Sequence, residues 1–225
     1  MITLPVYNQG DVQWRDKLLG TSGRKMWSDG CYVTTTASIL ASHMVMVNGH
    51  FITPGELCEK LNAAPNGFDP DGQLGWDAIY KLFPTCKMVK SCWTTNVAFQ
   101  NISKTQVSKA IDDIKQAVRM GFPIGICVDL VGSDKFPDHI VACKDAPDDL
   151  NEWKIMDPDG GRDIKFKDRY GSPLTGVMGY RLLVGPPVMF PDYATPSDQR
   201  AGQGAAQCID ARYSKADILT QLIGS

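Results

Sequence analysis

Four residues in this chain have the types and spacing needed for thiol-dependent acyl chemistry. Cys31 directly follows Gly30 in "WSDGCYVTTTASIL", residues 27–40. Asp29-Gly30 is a turn signal. After it, Val33, Ala37 and Leu40 recur at helical spacing, with Ile39 beside them. Cys31 is therefore expected at the N-terminus of a largely buried helix. Unpaired backbone N–H groups and the helix dipole converge there, and both favour a thiolate. His139 opens a β-rich run directly after "GSDKFPD", and Asp157 ends another before a proline turn, in "KIMDPDGG". In an antiparallel hairpin the start of one strand lies beside the end of the next. His139 and Asp157 are thus expected as neighbours, an imidazole oriented by a carboxylate. Gln9, in "VYNQGDVQW", offers an amide donor for an oxyanion. Together these make a nucleophile, a general base, an orienter and an oxyanion donor.

The elements that must position these residues are legible in outline. The first helix is expected from Cys31 to about Val45, with His43 a structural residue in its continuation. "TPGELCEKLN" starts a second helix, with Thr53 as cap, Pro54 at the first helical position and Glu56 three residues after the cap. "APNGFDPDGQLG" reads as a loop, and His50 lies in a loop without a visible partner. "WDAIYKLF" is a short helix stopped by Pro84. "TQVSKAIDDIKQAVRMG" is amphipathic, with Val107, Ile111, Ile114 and Val118 on one face and Gly121 closing it. The texture then turns to short β-rich runs: "PIGICVDL", "HIVACKDA", "EWKIMD", "RDIKFK" and "VMGYRLLV". Helices first and strands second predict an α+β domain over residues 1–185, with helices on one side of an antiparallel sheet. Residues 186–225 are rich in proline, glycine and alanine and read as an extended arm ending in a short amphipathic segment, "SKADILTQLIGS".

Composition narrows the function classes. The chain has 225 residues, 43% hydrophobic and 21% charged, with a formal net charge of -2, which is ordinary globular composition. Basic residues are scattered, so no nucleic-acid partner is expected. The seven cysteines contain no CxxC pair, so no structural zinc is expected and six read as reduced core residues. Two DPDG stretches, at 69–72 and 157–160, lack the remaining ligands of a calcium loop. No cofactor or metal is expected. The N-terminus has no basic-then-apolar signal pattern, and no window reaches about 18 continuous apolar residues, so neither a signal peptide nor a membrane span is expected.

The order of motifs resembles papain-like cysteine peptidases of the bacteriocin-processing, double-glycine type. The stretches that carry the resemblance are "YNQGDVQWRDKLLG", "GCYVTTTA", "TPGELCEKLN", "NGFDPDGQLGWDAIYKLF", "IKQAVRMGFPIGI", "DHIVACKD" and "IMDPDGG", which span roughly residues 5 to 184. The resemblance implies a papain-like fold, N-terminal helices packed against an antiparallel sheet. It implies Cys31 as nucleophile, His139 as general base and acid, Asp157 as orienter and Gln9 as oxyanion donor. Gly30, Tyr32 and Asp138, which flank these residues, are the expected substrate contacts. Tyr32 departs from the family pattern, in which a small residue follows the nucleophile.

The implied activity is cleavage of amide bonds by a thiol hydrolase made in the cytoplasm. A stand-alone domain of this kind resembles the enzymes that bacteriophages direct at peptidoglycan, as endolysins or virion-associated lytic proteins acting at the cell wall. The expected partners are a peptide or peptidoglycan substrate and, through the arm, virion proteins or a sister copy. Two other classes stay open: a structural or adaptor module of a virion, and a thiol acyltransferase or deamidase on the same fold.

Overall fold

The computed structural model describes residues 2–93, 104–130 and 137–185. The expected arm over 186–225 lies outside the described residues. In chain order the elements are α1 (Met26–Asp29), α2 (Cys31–Ser42), β1 (Met46–Val47), β2 (His50–Phe51), α3 (Pro54–Ala63), α4 (Trp76–Leu82), β3 (Lys87–Trp93), α5 (Lys104–Arg119), β4 (Ile124–Val128), β5 (His139–Asp145), a 3-10 turn (Leu150–Glu152), β6 (Lys154–Asp157), β7 (Arg162–Lys165), α6 (Lys167–Tyr170), α7 (Pro173–Gly176) and β8 (Gly179–Val184).

One six-stranded sheet runs in the order β3-β8-β4-β5-β6-β7, and every neighbouring pair is antiparallel. The chain is α+β, as expected. The layering differs from the expectation of a single covered face. Tyr180 donates its hydroxyl to Asp113 Oδ2 of α5 at 2.6 Å. The next residue, Arg181, instead lines a small cavity with Thr35, Thr36 and Ile39 of α2. Successive strand residues point to opposite faces, so α5 and α2 cover opposite sides of the sheet. The order of elements along the chain carries no information about which face a helix takes, and here the strand interleaving decides it.

Helix α2 is the central element. Every residue in it except Tyr32 is buried. A helix buried all round finds partners for most of its polar side chains inside the fold, Thr34 Oγ1 being an exception. Thr35 Oγ1 accordingly donates to the Ile140 carbonyl of β5 at 2.9 Å, and Ser38 Oγ to the Pro5 carbonyl at 3.0 Å. The helix stops at Ser42, short of Val45. Met44 adopts φ 60, and a hairpin follows in which Met46 pairs with Phe51 and Val47 with His50. Asn48 and Gly49 both have positive φ, 51 and 85, which suits a tight two-residue turn. His43 is buried with Nε2 3.2 Å from the Leu183 carbonyl, and His50 meets Glu56 Oε1 at 3.0 Å.

Helix α3 begins on the predicted capping box. Thr53 Oγ1 accepts the Glu56 N–H at 3.3 Å, and Glu56 Oε2 accepts the Thr53 N–H at 3.0 Å. Loss of an N-cap side chain costs about 1 kcal/mol. Thr53→Ala is expected to lower the unfolding free energy by about that amount in urea titrations, and Thr53→Ser to restore most of it. Equal midpoints for wild type and Thr53→Ala would show that the box contributes nothing.

Candidate active site

The glycine before Cys31 has a steric cause. Helix α1 runs directly into α2 through Gly30, whose N–H bonds the Met26 carbonyl at 2.9 Å. A Cβ at Gly30 would lie 2.3 Å from that same carbonyl oxygen. Only glycine lets the two helices abut so closely, and their junction delivers Cys31 as the first residue of α2. Gly30, an expected substrate contact, thus has a structural role in the junction.

Cys31 is 6% exposed and packs with Cys127 and Ile140. The backbone amides of Ile140 and Tyr32 act to favour its thiolate. Ile140 is the residue after His139, so the thiol lies one residue from the histidine along β5. The expected lowering of the thiol pKa is not what the site does at rest. Burial pushes the Cys31 thiol up to about 12, against the smaller opposing pull of the two amides, with Cys127 and Asp29 adding to the rise. Desolvation disfavours the charged form more than two N–H donors favour it.

His139 and Asp157 meet as expected. Ala142 of β5 pairs with Met156 of β6. Continuing that register sets Asp157 opposite Val141, on the same face as His139 and one diagonal step away. His139 Nε2 lies 2.9 Å from Asp157 Oδ1, and the two side chains are 2% and 0% exposed. Burial raises the Asp157 pKa, but the hydrogen bond and charge of His139, with donation from Tyr170 and the Asp159 N–H, outweigh it and hold the carboxyl below its usual value. A carboxylate only accepts, so Nε2 carries the proton and Nδ1 presents its lone pair in the neutral ring.

The other half of the Asp157 environment was not anticipated. Tyr170 donates to Oδ2 at 2.7 Å, Arg169 Nη1 to Oδ2 at 2.5 Å, and the Asp159 N–H to Oδ1 at 3.0 Å. Burial and the Asp157 charge both raise the Tyr170 pKa, so it stays a phenol donor. The signal for Arg169 and Tyr170 in the sequence was "FKDRYGS", a charged and aromatic turn with no periodicity to place it.

Gln9 is 6% exposed and is held from two sides. Its N–H bonds the Pro158 carbonyl at 2.9 Å, in the turn that follows Asp157. Its Nε2 donates to the Trp27 carbonyl at 3.0 Å, four residues before Cys31, while Oε1 is buried without a hydrogen-bond partner. Gly161 makes this docking possible. It has φ 60, and a Cβ there would lie 2.9 Å from Asn8 Cβ. Tyr32 turns inward: its hydroxyl is 3.7 Å from Cys127 Sγ and its ring stands edge-on to Trp76 at 6.5 Å. Asp138 is exposed and accepts the Leu130 N–H at 2.6 Å, pinning together the two ends of the β4–β5 connection.

Among the described residues no group of three His, Cys, Asp or Glu is arranged to hold a metal ion, and no helix is long and apolar enough to cross a membrane. In the first DPDG stretch, Asp69 Oδ1 accepts the Asp71 and Gln73 N–H groups at 2.9 and 2.8 Å, a turn of the chain on itself. Cys31, Cys58, Cys86, Cys127 and Cys143 are buried free thiols.

Comparison with known proteins returns no match for this chain among family models, curated proteins or solved structures.

Two titrations follow from the site. Asp157 has a folded pKa below its unfolded value of about 3.9. Its contribution to stability is therefore complete above about pH 4 and is lost as pH falls through the folded value. Urea midpoints measured from pH 5 to pH 2 are expected to fall more steeply for wild type than for Asp157→Asn, and parallel curves would show that this carboxylate is not the linked group. Cys31 has a raised thiol pKa, so its alkylation by iodoacetamide in the substrate-free protein is expected to climb with pH to beyond about 9. A plateau near pH 6 would instead reveal a preformed thiolate–imidazolium pair.

Proposed function

We propose that this chain is a papain-like thiol hydrolase that cleaves amide bonds, with Cys31 as nucleophile and His139–Asp157 as its base and orienter. The observation that carries the reading is the buried His139–Asp157 pair at 2.9 Å, with Cys31, the first residue of α2, packed against Ile140, the next residue after the histidine. A buried carboxylate paired with a buried imidazole is costly to maintain for stability alone.

The chemistry follows from the protonation states. With the thiol protonated at rest, attack and proton transfer proceed together. Sulfur bonds to the substrate carbonyl carbon as its proton passes to His139 Nδ1, and Asp157 steadies the resulting imidazolium. The oxyanion is held by the second N–H of Gln9 Nε2, whose first is committed to Trp27, and by the Cys31 backbone N–H. The tetrahedral adduct collapses, the C–N bond breaks, and Nδ1–H protonates the leaving amine. Water then attacks the thioester, giving its proton to Nδ1. The second adduct expels the sulfur, which regains a proton, and releases a carboxylic acid.

The substrate class rests on the order of motifs in the sequence: stem or cross-link peptides of peptidoglycan, cleaved by a bacteriophage lytic or virion-associated enzyme. The test is incubation with purified peptidoglycan and mass analysis of the soluble fragments. Wild type is expected to release peptides with new amino and carboxyl termini. Cys31→Ala and His139→Ala are expected to release none; Cys31→Ala is expected to melt near wild type, and His139→Ala lower, because buried Asp157 loses one of its donors. Asp157→Asn is expected to lose up to about 10⁴ in turnover, by analogy with the acidic member of serine triads. Full release by Cys31→Ala would rule the mechanism out, and transfer of a peptide to an added amine without hydrolysis would reassign the enzyme as an acyltransferase.

A further inference from the structure

Besides His139, the Asp157 carboxylate pairs with a permanent cation, Arg169, to which the proposed reaction gives no role. Arg169 spans two carboxylates as a fork. Its Nη1 donates to Asp157 Oδ2 at 2.5 Å, and its Nη2 donates to Asp159 Oδ2. The guanidinium carbon also lies 5.6 Å from the Tyr170 ring centroid, and the side chain is 19% exposed. Helix α6 places Arg169 and Tyr170 in succession on Oδ2, while His139 and the Asp159 N–H take Oδ1. The Tyr170 ring also lies against the imidazole, with centroids 6.4 Å apart.

Helix α6 is anchored at both ends. Phe166, its cap residue, is fully buried, and Tyr170 N–H bonds the Phe166 carbonyl at 3.0 Å. Gly171 leaves the helix at φ 68, and a Cβ on Gly176 would lie 2.4 Å from the Tyr170 carbonyl oxygen. Such packing holds a guanidinium in one place in a way that a solvated arginine is not held.

We infer that Arg169 is a positioning residue that sets the basicity of His139 by sharing the charge of Asp157. A lone buried carboxylate against an imidazole favours the imidazolium strongly, which makes the ring a ready base and a reluctant acid. The proposed reaction needs both, since the same ring must protonate the leaving amine. A guanidinium on the far oxygen withdraws part of the carboxylate's charge from the ring. Among the described residues, the charged and titratable groups bonded to the pair are Arg169 and Tyr170 from α6, and Asp159 in the turn holds the other half of the Arg169 fork. Arg162 stands 3.9 Å from Asp159 Oδ2, and among the described residues Arg169 is the arginine that pairs with Asp157.

The consequence for turnover rests on the thiol-hydrolase reading, but the protonation of the ring does not. The experiment is therefore a histidine NMR titration of the full chain. It has three histidines, and His139→Ala assigns the signal. Arg169→Gln is expected to move the protonation midpoint of the His139 ring up by about half a pH unit, less than the effect of a charge in contact, because the guanidinium reaches the ring through the Asp157 carboxylate. Asp159→Asn removes a carboxylate that competes for the same guanidinium and is expected to move the midpoint down by a smaller amount. Arg169→Lys, which keeps the charge and loses the fork, is expected to fall between wild type and Arg169→Gln. If Arg169→Gln does not fold, the downward shift in Asp159→Asn is the deciding result. An unmoved midpoint in folded Arg169→Gln, or in Asp159→Asn, overturns the inference. In parallel, the acidic limb of the pH–rate profile on peptidoglycan is expected to follow the NMR midpoint. Wild type without hydrolytic activity would refute the thiol-hydrolase reading and leave the titration standing.

Discussion

The structure depends on one buried carboxylate. Asp157 has no exposed surface, and an unpaired carboxylate in such a place costs several kcal/mol. Four donors offset that cost, and they come from three separate places: strand β5, the turn after β6, and helix α6. The same turn carries the Pro158 carbonyl that holds the Gln9 N–H, and its Gly161 leaves room for Asn8. Satisfying Asp157 therefore fixes the histidine, orders a short helix and draws the N-terminal segment to the site.

Cys31 is governed by a different constraint, close packing at the α1–α2 junction. The junction admits only glycine at position 30 and sets Cys31 against Ile140. The result is a thiol kept dry and protonated until a base is brought into play. In the proposed mechanism this trades a reactive resting thiolate for protection against adventitious chemistry. It also places more demand on His139, which must accept the proton during attack, and so makes the electrostatic setting of the His139–Asp157 pair consequential.

The parts of this arrangement that were legible in the sequence share a local cause. The capping box of α3 lies within four residues, the face of α5 follows helical periodicity, and the His139–Asp157 contact follows from an antiparallel hairpin of about twenty residues. The turn at Gly30 marked the start of α2 for the same reason. What escaped is non-local. The two-sided covering of the sheet depends on β8 inserting beside β4 and β3 pairing beyond it, a choice written in no single segment. The Met46–Phe51 hairpin was hidden behind an apolar run that continues the helical pattern of α2, although Asn48-Gly49 is a strong turn pair. Arg169 and Tyr170 act across twelve and thirteen residues of sequence on Asp157, with no periodicity to announce them. The rise in the Cys31 pKa escaped because a helix N-terminus is visible in a sequence and the depth of its burial is not.

The central claim, that Cys31 forms the acyl intermediate, is tested most directly by trapping that intermediate. Soluble peptidoglycan peptides mixed with the protein, quenched in acid on the millisecond-to-second scale and mapped by mass spectrometry, are predicted to yield a thioester on Cys31 that disappears as free acid accumulates. Hydrolysis with no adduct on Cys31, or an adduct that forms on another residue and turns over at the same rate, would contradict the account.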